Sequence, residues 1–223
     1  MAETRTYDLA GFDSVNITTG VRAIVTTGGA HSVRVEARDQ TTLDRLDVST
    51  VGGRLHVGFA RNFLDLVLSG ALIDLIRFGA DFNVTAYITL PALNGAEASS
   101  GGRVEATNVK SERFRADASS GGQVTLLAVS GGVFRAEVSS GGRIEIEGSA
   151  TELDASASSG ASLRADRLTA QQGRLEASSG GKLEATITTR VRANASSGGL
   201  VEISGNPQER DINSSSGGQV SIR

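Results

Sequence analysis

The chain has 223 residues, a formal net charge of -3 and 21% charged side chains with the two signs interleaved, which argues against a general nucleic-acid or polyanion-binding surface. With 28 Gly, 2 Pro, no Cys, no Trp and 4% aromatic residues, it can build neither a disulfide framework nor a thiolate metal site. Nor has it the rings for a thick aromatic core, so small residues must fill much of the interior.

The first 90 residues read as β. Segments around Val15 to Ile17, Val21 to Thr26, Ser32 to Ala37, Leu46 to Thr50 and Arg54 to Phe59 alternate or are β-branched, with breaks at Gly28-Gly29 and Gly52-Gly53. Hairpins and atypical first coils of a repeat both fit this pattern. Met1-Ala2-Glu3 leads into strand-like sequence almost at once, as in a mature exported chain whose leader has been replaced by a start codon.

One strongly apolar segment follows, from Phe63 to Phe78, too short and too charged to span a bilayer. Leu64, Leu68, Leu72, Leu75 and Ile76 share a helical face, so a short capping or covering helix, loosened at Gly70, is expected to protect an end of the structure. The same five residues are the candidate interaction segment if the stretch serves instead as an oligomer contact or lies on a membrane surface. Strand pattern resumes at Phe82 to Leu90 and stops at Pro91, which divides the chain into an N-terminal β region, 1–90, and a regular region, 91–223. The two are expected to form one continuous domain.

The regular region is a repeat. A Ser-Ser-Gly motif begins at Ser99, Ser119, Ser139, Ser158, Ser178, Ser196 and Ser215, at intervals of 20, 20, 19, 20, 18 and 19 residues. Six copies read Ser-Ser-Gly-Gly and the fourth reads Ser158-Ser159-Gly160-Ala161. Before the motif stand Ala98, Ala118, Val138, Ala157, Ala177 and Ala195, then Ser214 in the last copy. After it, Val104, Val124, Ile144, Leu163, Leu183, Val201 and Val220 form one column, and Ala106, Leu126, Ile146, Ala165, Ala185, Ile203 and Ile222 another. Alternation with period two on both flanks predicts strands with one buried face.

Two strands of about five residues and a shorter third segment fit a coil of about 20 residues. A propeller blade needs about 40, and the Leu and Asn framework of leucine-rich repeats is missing. The predicted fold is therefore all-β, a parallel β-helix (β-solenoid) in which equivalent residues stack at about 4.8 Å; a right-handed coil is the expectation for parallel connections.

The motif marks the bend, giving a ladder of Ser100-Gly101, Ser120-Gly121, Ser140-Gly141, Ser159-Gly160, Ser179-Gly180, Ser197-Gly198 and Ser216-Gly217. Counting in twos from the buried residue before it, the second Ser and the final Gly face inward, which predicts an internal hydroxyl ladder.

No catalytic constellation stands out. Nucleophilic serine needs a base, and both histidines, His31 and His56, lie outside the repeats. Outward columns carry Arg115, Arg135, Arg174 and Arg192 beside Asp117, Glu137 and Glu176, and Arg103, Arg143 and Lys182 beside Glu105, Glu145, Glu184 and Glu202. Exposed pairs of this kind contribute at most about 1 kcal/mol each, so they read as solubility and edge protection. An acidic ladder for Ca²⁺ is the sharper alternative, but the flanking cations compete for the carboxylates. A flat ice-binding face is disfavoured by those same charges. No cofactor or metal is implied.

The run Leu90-Pro91-Ala92-Leu93-Asn94-Gly95-Ala96-Glu97-Ala98-Ser99-Ser100-Gly101-Gly102, with the coils after it, resembles the putative auto-transporter adhesin, head GIN domain family of bacteria. Phe12-Asp13-Ser14-Val15-Asn16-Ile17, Val33 to Ala37 and Leu43 to Leu55 resemble that family's N-terminal part, so the likeness covers nearly the whole chain. It implies a β-helical, exported protein, periplasmic or on the cell surface, and carries over no catalytic residue. The chain departs from the family in the regularity of its Ser-Ser-Gly-Gly copies and in the Phe63 to Phe78 insertion.

The expectation is thus a non-enzymatic adhesion, scaffold or envelope-interaction module, with a carbohydrate-binding or carbohydrate-processing β-helix as the alternative. The expected partner is a protein or glycan at the cell envelope, without nucleic acid and without a transmembrane segment; homo-oligomerisation stays open.

Overall fold

The computed structural model describes residues 2–60 and 83–223. Stacked parallel β-coils of about 20 residues make about six turns of a solenoid-like structure. The apolar segment 63–78, with Leu64, Leu68, Leu72, Leu75 and Ile76, lies outside the described residues.

In chain order the elements are β1 (Glu3–Tyr7), β2 (Ser14–Ile17), β3 (Arg22–Thr27), β4 (Ser32–Ala37), a one-turn helix α1 (Gln40–Asp44), β5 (Leu46–Val51), β6 (Arg54–Phe59) and β7 (Thr85–Leu90). The solenoid proper continues with β8 (Gly95–Ala98), β9 (Arg103–Thr107), β10 (Lys110–Ala118), β11 (Gln123–Val138), β12 (Arg143–Ala157), β13 (Ser162–Ala177), β14 (Lys182–Ala195), β15 (Leu200–Ser204), β16 (Glu209–Ser214) and β17 (Gln219–Ile222).

The N-terminal region contains both arrangements its sequence allowed. β2 is sandwiched in parallel between β6 and β8, and β3 between β7 and β9, so the first coil of the chain is the second layer of the stack. β6 and β7 form the layer beneath it. Below them the stack ends in antiparallel pairs, β5 on β6 and β4 on β7, with β1 added to β4. The β5–β6 hairpin turns at Gly52-Gly53, both at positive φ, as a two-residue primed turn requires.

The sequence set no bounds for two elements. β1 is short and mostly exposed. α1 begins at Asp39, whose carboxylate accepts from the Thr42 amide at 2.8 Å, and buries a single residue, Leu43.

From β8 onward registry is vertical. Phe114 pairs with Phe134, Ala116 with Ala136 and Ala118 with Val138, and the next layers continue with Leu153, Ala155 and Ala157. Strands β11 to β14 run from one turn to the next and carry their register shifts at corners, where Ala128 and Gly148 take positive φ. Inside, the Phe114 and Phe134 rings stack at 5.5 Å with an 18° interplanar angle. Two layers further on, the same column holds Gly173, and a Cβ there would meet Ile187 Cδ1 at 2.6 Å, so a large residue of the next layer fills the space the glycine leaves.

The turn itself corrects the expectation of inward serines. Ser100 and Gly101 have φ of 51° and 76°, and the Gly102 amide closes onto the Ser99 carbonyl at 2.9 Å, the geometry of a type I′ turn. Ser100, Ser120, Ser140, Ser159, Ser179, Ser197 and Ser216 are all exposed. Alternation holds only for extended backbone, and two successive left-handed residues swing the second serine to the outside of the bend. The ladder that does form is made by the backbone. Gly101 donates to the Ser120 carbonyl, Gly121 to Ser140, Gly141 to Ser159, Gly160 to Ser179, Gly180 to Ser197 and Gly198 to Ser216, at 3.1 to 3.3 Å.

The final glycine does face inward. At Gly142 a Cβ would sit 2.7 Å from the Ala118 carbonyl oxygen of the preceding coil, so close backbone approach fixes glycine here, whereas positive φ favours it at Gly101. An eighth turn of the same kind, Thr18-Thr19-Gly20-Val21, closes with a 3.2 Å bond from the Val21 amide to the Thr18 carbonyl.

Candidate functional site

The strands that precede the turns, β2, β8 and the ends of β10, β11 and β12, lie side by side with β6 and send alternate residues outward. Register places Arg54, Ser14, Gly95, Arg115, Arg135 and Asp154 in one column. His56, Asn16, Glu97, Asp117, Glu137 and Ser156 form the next. The first serines of the turns, Ser99, Ser119, Ser139 and Ser158, form a third, half-buried column along the edge.

Small residues in these columns leave a hollow between long ones. Arg54 reaches across the whole β2 layer to Glu97, its Nη1 donating to Oε2 at 3.0 Å, past Ser14 and Gly95, which are too small to block it. Arg115 donates twice to Asp117, from Nε at 2.7 Å and from Nη2 at 3.0 Å, and its Nη2 also reaches Glu137 Oε2 at 3.2 Å. The hydrogen bonds and charge of Asp117, with Glu137 and Glu97 beyond, raise the Arg115 pKa above the usual guanidinium value. Arg135 turns the other way, to Asp154 at 2.9 Å.

The result is an open groove of about 610 Å³ lined by Arg54, Glu97, Arg115, Asp117, Ala118, Ser119, Glu137, Val138, Ser139, Ser156 and Ser158. A second hollow of about 200 Å³ continues it past Asp13, Ser14, Asn94 and Gly95, sharing Arg54, Glu97, Arg115 and Asp117. Over five strand steps, from the β6 layer to the β12 layer, the groove extends roughly 24 Å.

Chemically the lining is a set of fixed donors and acceptors. Each carboxylate has several lone-pair sites, only some of which its guanidinium partner uses, and each serine can donate or accept. Among the described residues the lining contains no histidine and no aromatic ring. His31 lies elsewhere, with Nε2 at 2.8 Å from the Phe12 carbonyl and its ring edge-on to Phe12. Among the described residues no three His, Cys, Asp or Glu side chains converge as a metal site.

The turn residues singled out in the sequence, Ser100-Gly101 and their six counterparts, occupy a ridge beside the groove; the first serines of the motif, Ser119, Ser139 and Ser158, line it. Sequence reading noted the Arg115 and Asp117 columns as charge offset. It missed Arg54, because nothing in the sequence says that the β6 layer lies two layers below β8. The usable signal was the match of Arg54-Leu55-His56-Val57 and Ser14-Val15-Asn16-Ile17 to the outward-inward pattern of Gly95-Ala96-Glu97-Ala98.

The family described as "Putative auto-transporter adhesin, head GIN domain" matches residues 11–207. Among solved structures, a putative adhesin from Bacteroides fragilis superposes with a TM-score of 0.84 at 15% identity, covering 100% of this chain and 97% of that one. A putative lipid binding protein from Parabacteroides distasonis gives 0.68 at 16% identity, covering 100% and 96%. A putative adhesin from Parabacteroides merdae gives 0.64 at 13% identity, with the same coverage. At these identities the likeness is one of fold. Curated proteins gave no match.

Proposed function

The chain belongs to the head GIN domain family of putative auto-transporter adhesins, and on that premise we propose that it is an exported, non-enzymatic adhesion module of the bacterial envelope. Recognition runs along the face that precedes the turns. The observation that carries this reading is the polar groove between Arg54 and Ser158, built from side chains of successive coils on a rigid stack.

A binding role fits the groove better than a catalytic one. Glycoside hydrolysis needs one carboxyl free to give up a proton and a second set apart from it. In the larger hollow Glu97 is the acceptor of Arg54, and Asp117 and Glu137 are both acceptors of Arg115, so none of these three carboxylates is set apart as a donor. The groove is also poorly suited to an acyl chain, since among the described residues the larger hollow has only Ala118 and Val138 as apolar contributors.

Fractionation of cells making the full-length native gene product, with intact-mass analysis of the recovered chain, tests the placement. Recovery from the envelope or medium with the leader cleaved supports it; retention in the cytoplasm without cleavage ends it. Turnover assays on polysaccharides test the non-enzymatic reading, which release of any product would reject.

A further inference from the structure

We propose that the occupant of the groove is an uncharged glycan lying along the solenoid axis. The inference rests on the reading of the groove as the recognition surface and adds the chemistry of its ligand.

Charge comes first. The larger hollow is lined by two guanidinium groups, Arg54 and Arg115, and three carboxylates, Glu97, Asp117 and Glu137. A polyanion meets an excess of carboxylate, and a polycation finds those carboxylates already holding guanidinium groups. A neutral ligand loses least on either count.

Hydrogen-bonding capacity comes second. Sugar hydroxyls donate and accept at once, so a surface that holds them must offer both functions side by side. The groove does so in rows, with guanidinium donors, carboxylate acceptors and the hydroxyls of Ser119, Ser139, Ser156 and Ser158. The ion pairs hold these groups before any ligand arrives, so little side-chain freedom is lost on binding.

Shape and surroundings come third. Protein interfaces are anchored by buried aromatic and other large side chains, and among the described residues the lining has no ring. A peptide could not add as a strand here either, because β2, β8, β10 and β11 are already paired on both sides. The hollow is elongated and polar where a small-molecule pocket is compact and mostly apolar. A polymer of repeating polar units, set against rungs at about 4.8 Å, matches it.

The test is titration of the whole chain with neutral cello-, malto- and manno-oligosaccharides of increasing length, with heparin, anionic phosphatidylglycerol vesicles and a mixed-sequence peptide library as competing classes. The expected result is binding of at least one neutral series that strengthens with length and falls about tenfold or more in Asp117→Asn and Arg115→Ala. Ser156→Trp, which fills the groove and leaves the ion pairs in place, is expected to abolish binding while melting as the wild type does. Binding confined to heparin, vesicles or peptides would overturn the proposal, as would neutral-sugar binding unaffected by Ser156→Trp. If groove variants lose cell adherence but no neutral glycan binds, the glycan assignment fails and the adhesion reading stands. If glycan binds through the groove but adherence does not depend on it, the adhesion reading fails instead.

Discussion

The amide of Gly121 donates to the carbonyl of Ser140, one coil further along, at 3.2 Å. Ser140 itself sits at φ 50° with its side chain in solvent, so its place in the ladder is made by its backbone and not by its hydroxyl. Ser140→Val is therefore expected to cost about 1–2 kcal/mol, because a β-branched side chain is strained in the left-handed region. Ser140→Gly should be tolerated. Urea unfolding of the two variants separates these effects; equal losses would mean that the hydroxyl matters after all.

At Gly142 the demand is for space. A Cβ there would lie 2.7 Å from the Ala118 carbonyl oxygen, so Gly142→Ala is expected to destabilise by about 1–3 kcal/mol as the two coils are pushed apart. Ala161 occupies the equivalent place in its own coil and is 2% exposed, so that layer already accommodates a methyl group. Ala161→Gly should cost only about 0.5–1 kcal/mol, chiefly through chain entropy. Thermal midpoints of the pair check the asymmetry.

These turns show how far the sequence could be read. The spacing of Ser99, Ser119 and Ser139 predicts coils of constant length, and the Val104, Val124, Ile144 column is buried along that line. Parity failed at Ser100 because it describes strands and the bend is not one. The weave of β2 between β6 and β8 was not legible, since pairing among distant segments with similar alternation has no local signature. Arg54 became a groove residue only through that weave. The groove depends likewise on small residues, Ser14, Gly95 and Ser156, whose effect is visible only once the layers are stacked.

The open end of the stack carries its own protection. Arg210, Ile212 and Ser214 of β16 pair with Val191, Ala193 and Ala195, so a charged residue stands in a column that is apolar in the layer beneath. The Arg210 guanidinium bonds to the Pro207 carbonyl at 2.7 Å and the Asn206 side chain at 2.5 Å. Inward-pointing charge discourages another sheet from adding to an exposed edge. Arg210→Val combined with Ser214→Ala is expected to increase self-association relative to the wild type, read by sedimentation velocity. An unchanged distribution would contradict this role for Arg210.

Both ends should loosen in acid before the middle does. The Glu209 carboxyl, hydrogen-bonded by Arg190 at 2.6 Å, is held below the usual glutamate range, and Asp44 is lowered by its hydrogen bonds from Arg5 and Gln40. A folded-state value below the unfolded one contributes stability at neutral pH and loses it as pH falls through the lowered value. Amide-exchange protection factors in β16 and β1 should therefore drop at pH values below the carboxylate range while those in β12 persist. Uniform loss along the stack would argue against it.

The most direct measurement of the central claim is adherence of cells displaying the protein, compared across two triple variants. One, Arg115→Ala, Asp117→Asn and Glu137→Gln, strips the groove. The other, Arg164→Ala, Lys182→Ala and Glu184→Gln, strips an ion-pair cluster on the face that follows the turns. With both folded and displayed equally, the first is predicted to lose adherence and the second to keep it. Equal adherence by the two would contradict the assignment of recognition to the Arg54 to Ser158 face.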